Sequence, residues 1–218
     1  MSTPYRVGFC ISGNGRLFRE AAFHAAQLGI EPALVVAERK ASLDLENFCL
    51  DRLIPFVRME TASRQEFDEK LCSTCIDAHL DLLSLTFDKI VSTTLIRHYA
   101  GRVINVHPAL LPAHKGMNAM QQVVDGGVRF TGATIHEADE EKDHGAIIAQ
   151  CVLSLRFRET AESIGRRMFP LLNLMYLQVL SWYAQGRVSK DPQNRIWVRD
   201  AVYGETPISP ALEEGFCI

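Results

Sequence analysis

The sequence contains no apolar run long enough to cross a membrane. No stretch of its 218 residues approaches the roughly 18 apolar residues that a transmembrane helix needs. The N-terminus also lacks the basic start and the long apolar core of a signal peptide. These two absences predict a cytosolic protein with no membrane partner.

An excess of positive charge is missing as well. The formal net charge is -3, from 23 Lys and Arg against 26 Asp and Glu, and the pI is about 6.2. We therefore expect no nucleic-acid partner, because the bulk charge does not attract one. With 47% hydrophobic and 22% charged residues, the composition is typical of a globular protein, and the length suits one domain.

Histidine and cysteine lack the spacing of a metal site. The seven histidines are dispersed, and Cys72-Ser-Thr-Cys75 has no second cysteine pair or paired histidines to complete four ligands. We expect no metal site, and we expect reduced thiols that mostly pack in the interior. The six cysteines are Cys10, Cys49, Cys72, Cys75, Cys151 and Cys217.

Strand patterns alternate with helix patterns along the first half of the chain. Strands are predicted at residues 6–11, 33–37, 54–57, 80–85 and 102–106, and helices at 17–28, 43–52, 64–79 and 94–99. This alternation predicts an α/β fold with a mostly parallel, Rossmann-like twisted sheet flanked by helices. Ligands of such sheets bind beyond the carboxyl ends of the strands.

After Gly116 the pattern changes to one helix at residues 118–124 and two consecutive strands at 129–135 and 146–155. These strands predict an antiparallel addition to the sheet. A long helix follows at 160–185, with Thr160 as its N-cap and with Pro170 expected to kink or divide it. A short hairpin near residues 196–202 and a loose tail complete the prediction.

A glycine turn follows the first strand. Gly13-Asn14-Gly15 opens a helix, so its backbone N–H groups can face an anion or a small polar ligand, with Arg16 beside it. Phe18 replaces the third small residue of a dinucleotide fingerprint, and no Gly-Lys-Ser/Thr of a P-loop follows. A tight turn without any ligand explains the pattern equally well.

Asn105 and His107 end the last strand of the first half. Alternation places both side chains on one face, where an amide and an imidazole suit an acyl-type transfer. Asp143, in a later acidic loop, can orient His107 and stabilise its protonated form. The alternatives are an Asn and a His satisfied by turn backbone, and a solvated acidic loop. His136, on the strand before that loop, is interpreted as a packing residue.

Together these segments resemble the folate-dependent formyltransferase family, most closely the glycinamide ribonucleotide (GAR) transformylases. The resemblance covers roughly residues 5–190. Its most specific motif is Asn105-Val-His107-Pro followed by Leu-Leu-Pro, with the later Asp143. Residues 11–15, 131–136, 143–145 and 181–187 also carry it.

The resemblance implies that Asn105, His107 and Asp143 are the catalytic residues. It also implies 10-formyl-tetrahydrofolate as the formyl donor, an amine as the acceptor, and the formyltransferase fold. The expected organisation is a single domain over residues 1–218, with an acceptor-binding half at about 1–115, a folate and catalytic half at about 116–190, and a tail at 191–218. A monomer or a homodimer is expected.

The resemblance also assigns the two binding regions. The acceptor would be bound by Ser12, Gly13, Asn14, Gly15 and Arg16. The folate would lie in an apolar cleft walled by two segments, through Phe87, Lys89, Ile90, Val91, Ala138, Asp139, Glu140 and Glu141.

Three positions depart from the GAR-specific pattern. Arg16-Leu17 replaces Ser-Asn after the glycine turn, Leu172 replaces a glutamate, and Lys89 replaces an arginine of the folate loop. These changes favour a specialised acceptor, such as N-hydroxyornithine for siderophore biosynthesis or an amino sugar. The alternatives are a GAR transformylase of purine biosynthesis, a formyl-tetrahydrofolate hydrolase, and a folate-binding protein without catalysis.

Overall fold

The computed structural model describes residues 3–87, 89–140, 143–204 and 207–216. The chain divides into two compact units, with the boundary between Asn105 and Val106. The assignment of a single domain with functional halves stays a prediction. None of the helices within the described ranges is long and apolar enough to cross a membrane.

The N-terminal unit is built on parallel strands. Its elements are β1 (Tyr5–Ile11), α1 (Arg16–Phe23), α2 (Ala25–Leu28), β2 (Ile30–Glu38), α3 (Asp44–Leu50), β3 (Phe56–Met59), α4 (Arg64–Asp77), β4 (Leu82–Thr86) and α5 (Thr93–His98). The next strand, β5 (Val103–His107), begins in this unit. The strand order is β5-β4-β1-β2-β3, and all four pairings are parallel.

The central strand β1 explains why the sheet forms here. Val7, Phe9, Cys10 and Ile11 are all at most 2% exposed. A strand that is covered on both faces needs such a continuous apolar run, which is typical of parallel sheets. The prediction of a mostly parallel sheet is confirmed.

The helix predicted at residues 17–28 is two helices. His24, with φ -99° and ψ 12°, ends α1 and precedes α2. Its backbone N–H still donates to the Glu20 carbonyl at 3.1 Å, so the chain turns there with little loss of hydrogen bonding. Gly29 ends α2 in the left-handed region, where glycine is favoured.

The C-terminal unit carries the antiparallel additions. Its elements are α6 (Ala119–Asp125), β6 (Phe130–Glu137), β7 (Ile147–Ser154), α7 (Ala161–Ala184), β8 (Val188–Lys190), β9 (Ile196–Val198) and β10 (Ile208–Ser209). β7 pairs antiparallel with both β6 and β10, and β8 and β9 form a separate hairpin. The predicted antiparallel addition is confirmed. The hairpin was predicted near residues 196–202 and lies earlier in the chain, because β9 pairs with the preceding residues 188–190 and not with the residues after it.

Helix α7 begins as predicted, and the possible division at Pro170 does not occur. The Thr160 hydroxyl accepts the Ser163 backbone N–H at 3.2 Å, which confirms the N-cap. Pro170 lies inside the helix without dividing it. Proline leaves the carbonyl four residues earlier without its helical donor. That carbonyl belongs to Arg166, and both residues are exposed, so water can satisfy it.

The predicted loose tail is wrong for residues 207–216. The buried Gln178 side chain donates to the Ala211 carbonyl at 2.9 Å and accepts the Glu213 N–H at 2.8 Å. Trp182 Nε1 donates to the Glu213 carboxylate at 2.9 Å. These contacts and the pairing of β10 with β7 fasten this segment to α7 and to the sheet.

Candidate active site

His107 ends strand β5 as a buried imidazole, only 4% exposed. Its Nε2 lies 2.8 Å from the backbone carbonyl oxygen of His114. The intervening chain turns through a cis peptide bond between Leu111 and Pro112. This turn brings a main-chain acceptor to one side of the ring.

Asp143 reaches the other side of that ring. Its Oδ2 lies 3.6 Å from His107 Nδ1 and accepts the Gly116 backbone N–H at 2.8 Å. The residue is 6% exposed and has φ 57°, a conformation that aspartate tolerates better than most residues. The interpretation of Asp143 as part of a solvated acidic loop is therefore wrong.

Both ring nitrogens of His107 face acceptor groups. Nε2 lies 2.8 Å from the His114 carbonyl oxygen, and Nδ1 lies 3.6 Å from the Asp143 carboxylate. With both nitrogens directed at acceptors inside the protein, donation from Nε2 to a third group requires the contact with His114 to open.

His136 also contacts Asp143, which the sequence interpretation did not foresee. It is 1% exposed, with Nδ1 2.7 Å from the Glu137 carbonyl oxygen and Nε2 3.7 Å from Asp143 Oδ1. Burial lowers the pKa of His136, while the Glu137 carbonyl and the Asp143 carboxylate oppose this effect. A sequence signal for this contact exists. His136 lies near the end of β6, and Asp143 follows shortly after it in the loop that connects β6 to its partner strand β7.

Asn105 is a half-buried residue of β5 at the end of the N-terminal unit. It pairs in parallel register with Leu85 of β4. The structure thus brings His107 and Asp143 together, and Asn105 precedes His107 by two residues on the same strand. The catalytic role of all three stays a prediction.

The glycine turn has the predicted backbone form. Gly15 has φ 68°, and a Cβ at this position would lie 2.6 Å from the Leu45 side chain. The Asn14 side chain accepts the Arg16 N–H at 3.3 Å, at the first turn of α1. Ser12 is buried, whereas Gly13, Asn14 and Arg16 are exposed. Ligand binding by this turn remains a prediction.

The first predicted folate segment lies in the N-terminal unit. Phe87 stacks on Phe67 with 5.7 Å between ring centroids, and Lys89 pairs with Glu38 at 3.3 Å. Ile90 is 56% exposed, whereas Val91 is buried. A cavity of about 310 Å³ adjoins Glu38, Arg39, Ser63, Arg64, Phe67 and Lys89.

The second predicted folate segment lies in the C-terminal unit. Ala138 is half-buried, and Asp139 and Glu140 are exposed. Glu141, like Asp88 of the first segment, lies outside the described residues. The folate assignment of both segments stays a prediction.

No group of three or more metal-ligating side chains is placed to hold an ion in the part of the chain that the structure describes. Five of the six cysteines lie in that part, and each is a free thiol. Burial raises the pKa of Cys49 and of Cys151 to about 11, which is typical of inert packing cysteines. Cys217 lies outside the described residues.

Comparison with known proteins identifies the family. A family model described as formyl transferase matches residues 5–180. The chain belongs to the formyl transferase family. The predicted family is thereby confirmed.

Individual relatives agree with this assignment. The chain is 33% identical to the chicken (Gallus gallus) trifunctional purine biosynthetic protein adenosine-3, over 62% of the chain and 14% of that protein. It therefore spans about a seventh of the length of this relative. It is 26% identical to phosphoribosylglycinamide formyltransferase of Haemophilus influenzae, over 84% of the chain and 89% of the relative.

A solved structure confirms the predicted fold. Phosphoribosylglycinamide formyltransferase of Coxiella burnetii is 30% identical to the chain and superposes with a TM-score of 0.78. The match covers 90% of this chain and 94% of that one. The mostly parallel sheet with flanking helices and antiparallel C-terminal strands is thus the formyltransferase fold.

Proposed function

We propose that the protein transfers the formyl group of 10-formyl-tetrahydrofolate to the primary amine of glycinamide ribonucleotide. The observation that carries this proposal is the buried pair of His107 and Asp143, with 3.6 Å between Nδ1 and Oδ2, in a member of the formyl transferase family. A buried carboxylate beside an imidazole is an arrangement suited to proton movement and charge stabilisation.

In the proposed reaction the acceptor nitrogen attacks the formyl carbon. A new C–N bond forms, the bond from that carbon to N10 of the folate breaks, and the carbonyl oxygen carries negative charge in between. The amine loses one proton and N10 gains one, so tetrahydrofolate leaves.

The side chains divide this work by their chemistry. The Asn105 amide donates to the developing oxyanion, because an amide N–H stabilises such charge without changing its own protonation. The protonated His107 supplies a positive charge. The Asp143 carboxylate, which faces His107 Nδ1, stabilises this charge. Direct donation by His107 to the oxyanion requires its Nε2–H to leave the His114 carbonyl.

The identity of the acceptor is the most specific part of the proposed reaction. The names of the relatives favour glycinamide ribonucleotide over the specialised acceptor that the sequence departures suggested. The glycine turn supports it, since exposed backbone at the start of α1 and the exposed Arg16 suit a phosphate.

A second acceptor class is favoured by two specific side chains. Leu17 and Leu172 are each 8% exposed, so neither position offers a polar group to a ligand. In this alternative the donor and the chemistry are unchanged, and the acceptor is another amine, such as N-hydroxyornithine or an amino sugar.

An acceptor screen tests the proposal. Release of tetrahydrofolate is followed with glycinamide ribonucleotide, N-hydroxyornithine, several amino sugars or water as acceptor. His107→Ala is the inactive variant, and His98→Ala, at an exposed histidine of α5, is its matched control. Turnover that depends on glycinamide ribonucleotide supports the proposal, and turnover with another amine alone moves the acceptor to the second class.

The same screen separates an enzyme from a folate binder. Binding of 10-formyl-tetrahydrofolate, seen as a rise in Tm, without turnover of any acceptor would contradict formyl transfer to these acceptors. Turnover with water alone would instead assign a hydrolase.

A further inference from the structure

One short loop contacts both members of the buried pair. The loop His114–Met117 offers the His114 carbonyl to His107 Nε2 at 2.8 Å and the Gly116 N–H to Asp143 Oδ2 at 2.8 Å. Both contacts use main-chain atoms. The placement of the two catalytic side chains therefore depends on the conformation of this loop.

The backbone of this loop is unfavourable without external support. His114 has φ 52°, Gly116 has φ 84° and Asn118, just after the loop, has φ 58°. The left-handed region is disfavoured for histidine and less so for asparagine. Such a conformation persists only when its surroundings hold it.

Gln122 supplies that support. Its Nε2 donates to the Lys115 carbonyl at 3.0 Å and to the Met117 carbonyl at 2.9 Å, so both amide protons are used on the loop. Along the loop, the two residues that contact Gln122 alternate with the two residues whose backbone contacts the buried pair, His114 and Gly116. One side chain thus fixes the residues on either side of Gly116.

The helix that carries Gln122 is firmly packed. Ala119 and Val123 of α6 are buried in an apolar cluster with Ala109 and Ile164. Because the helix is packed in place, the backbone of the half-buried Gln122 is held in place as well. Its short side chain can therefore hold the loop at a fixed distance from the helix.

We propose that Gln122 is a positioning residue for the proposed reaction: it holds the loop His114–Met117 in the conformation that directs His107 and Asp143 toward each other. This inference rests on the proposed function. Gln122 acts through the loop and does not contact the reacting atoms.

The neighbouring Gln121 provides a matched control. It is exposed, and its amide donates to Asp125 Oδ1 at 2.8 Å on the same helix. Replacement of either glutamine by methionine removes the amide at nearly constant length, so differences between the two variants report the loop contact.

The test combines steady-state kinetics with amide hydrogen exchange measured by NMR. For Gln122→Met we expect kcat to fall about tenfold or more, since small displacements of catalytic groups are costly, with both KM values within about twofold. The Gly116 amide should exchange faster. Gln122→Glu, which sets a carboxylate against two carbonyls, should behave at least as badly, and Gln121→Met should match the wild type.

Gln122→Lys is the rescue variant, because its ammonium group keeps donors for the two carbonyls. Recovery of kcat relative to Gln122→Met supports positioning through these bonds. All kinetics are run below the lowest Tm among the variants, so that loss of fold is not mistaken for loss of positioning.

Two results would overturn the proposal: unchanged Gly116 exchange in Gln122→Met, or equal kcat values for Gln122→Met and Gln121→Met. Failure of every Gln122 variant to fold would assign a structural role instead. If the wild-type chain turns over no acceptor, the proposed function fails, whereas Gly116 exchange still tests the role of Gln122 in the loop.

Discussion

His136 Nε2 lies 3.7 Å from Asp143 Oδ1, and both side chains are almost fully buried. Asp143 therefore faces two histidines, one through each carboxylate oxygen. Because the Asp143 carboxylate contacts His136 in the interior, a change in the charge of His136 should affect the free energy of unfolding of the C-terminal unit, which contains both residues.

Stability should fall at mildly acidic pH because of His136. Burial lowers its folded-state pKa below the ordinary 6.5, so the unfolded chain binds more protons between the two values. The free energy of unfolding that His136 contributes is full above pH 6.5 and is lost as the pH falls through the folded-state pKa. Urea unfolding between about pH 7.5 and pH 5 measures this slope.

The variant His136→Gln should have a shallower pH dependence than the wild type over that range, because glutamine does not titrate. His98→Gln, at an exposed position on α5, should keep the wild-type slope. Identical slopes for wild type and His136→Gln would remove His136 as the source of the acid sensitivity.

The ion pair between Glu137 and Lys190 should stabilise the C-terminal unit. The Glu137 side chain is 8% exposed, at the end of β6, and Lys190 on β8 contacts its carboxylate. Lys190→Met leaves a buried carboxylate without its partner, which should lower the free energy of unfolding by about 1–3 kcal/mol. Chemical denaturation measures the loss.

A double-mutant cycle identifies the cause of that loss. Glu137→Gln combined with Lys190→Met should cost less than the sum of the two single changes, since no unpaired charge remains. Arg166→Met, which breaks the exposed pair with Glu162, should cost below about 0.5 kcal/mol. Strict additivity in the Glu137 and Lys190 cycle would show that the pair contributes nothing.

Gln178 should hold the C-terminal segment in place. It is 1% exposed and bonds the backbone at Ala211 and Glu213. Gln178→Met leaves a half-buried backbone donor at Glu213 and a half-buried acceptor at Ala211 without this partner, at about 1–2 kcal/mol. We expect a lower Tm and faster proteolysis of the segment. Gln193 is exposed, so Gln193→Met serves as the control. Equal Tm values for the two variants would contradict the role of Gln178 in holding the C-terminal segment.

Local pattern was enough to predict most of the fold. The apolar run of β1 between polar and glycine boundaries, and the Thr160 cap of α7, carry their signal within a few residues. The split at His24 and the bound tail escaped prediction, because the tail depends on partners, Gln178 and Trp182, that are distant in sequence.

The candidate site was predicted unevenly for a similar reason. His107 and Asp143 were found through the family motif, and their spacing alone left a solvated loop as an alternative. His136 was interpreted as a packing residue, because a histidine within a strand pattern carries no signal of a role. The contact appears only in the structure, where Asp143 has a left-handed backbone conformation and its carboxylate faces His136. Gln122 acts through loop carbonyls, which no residue pattern reveals.

Replacement of Asp143 tests the central claim most directly. The measurement is the kcat for release of tetrahydrofolate from 10-formyl-tetrahydrofolate with glycinamide ribonucleotide, for wild type, Asp143→Asn and Asp200→Asn. Asp200 is an exposed carboxylate with a left-handed backbone like that of Asp143 and has no role in the proposed reaction. We predict a loss of about 100-fold or more for Asp143→Asn, the range of acid–base assistance, and less than about twofold for Asp200→Asn. Equal kcat values for Asp143→Asn and the wild type would contradict the account.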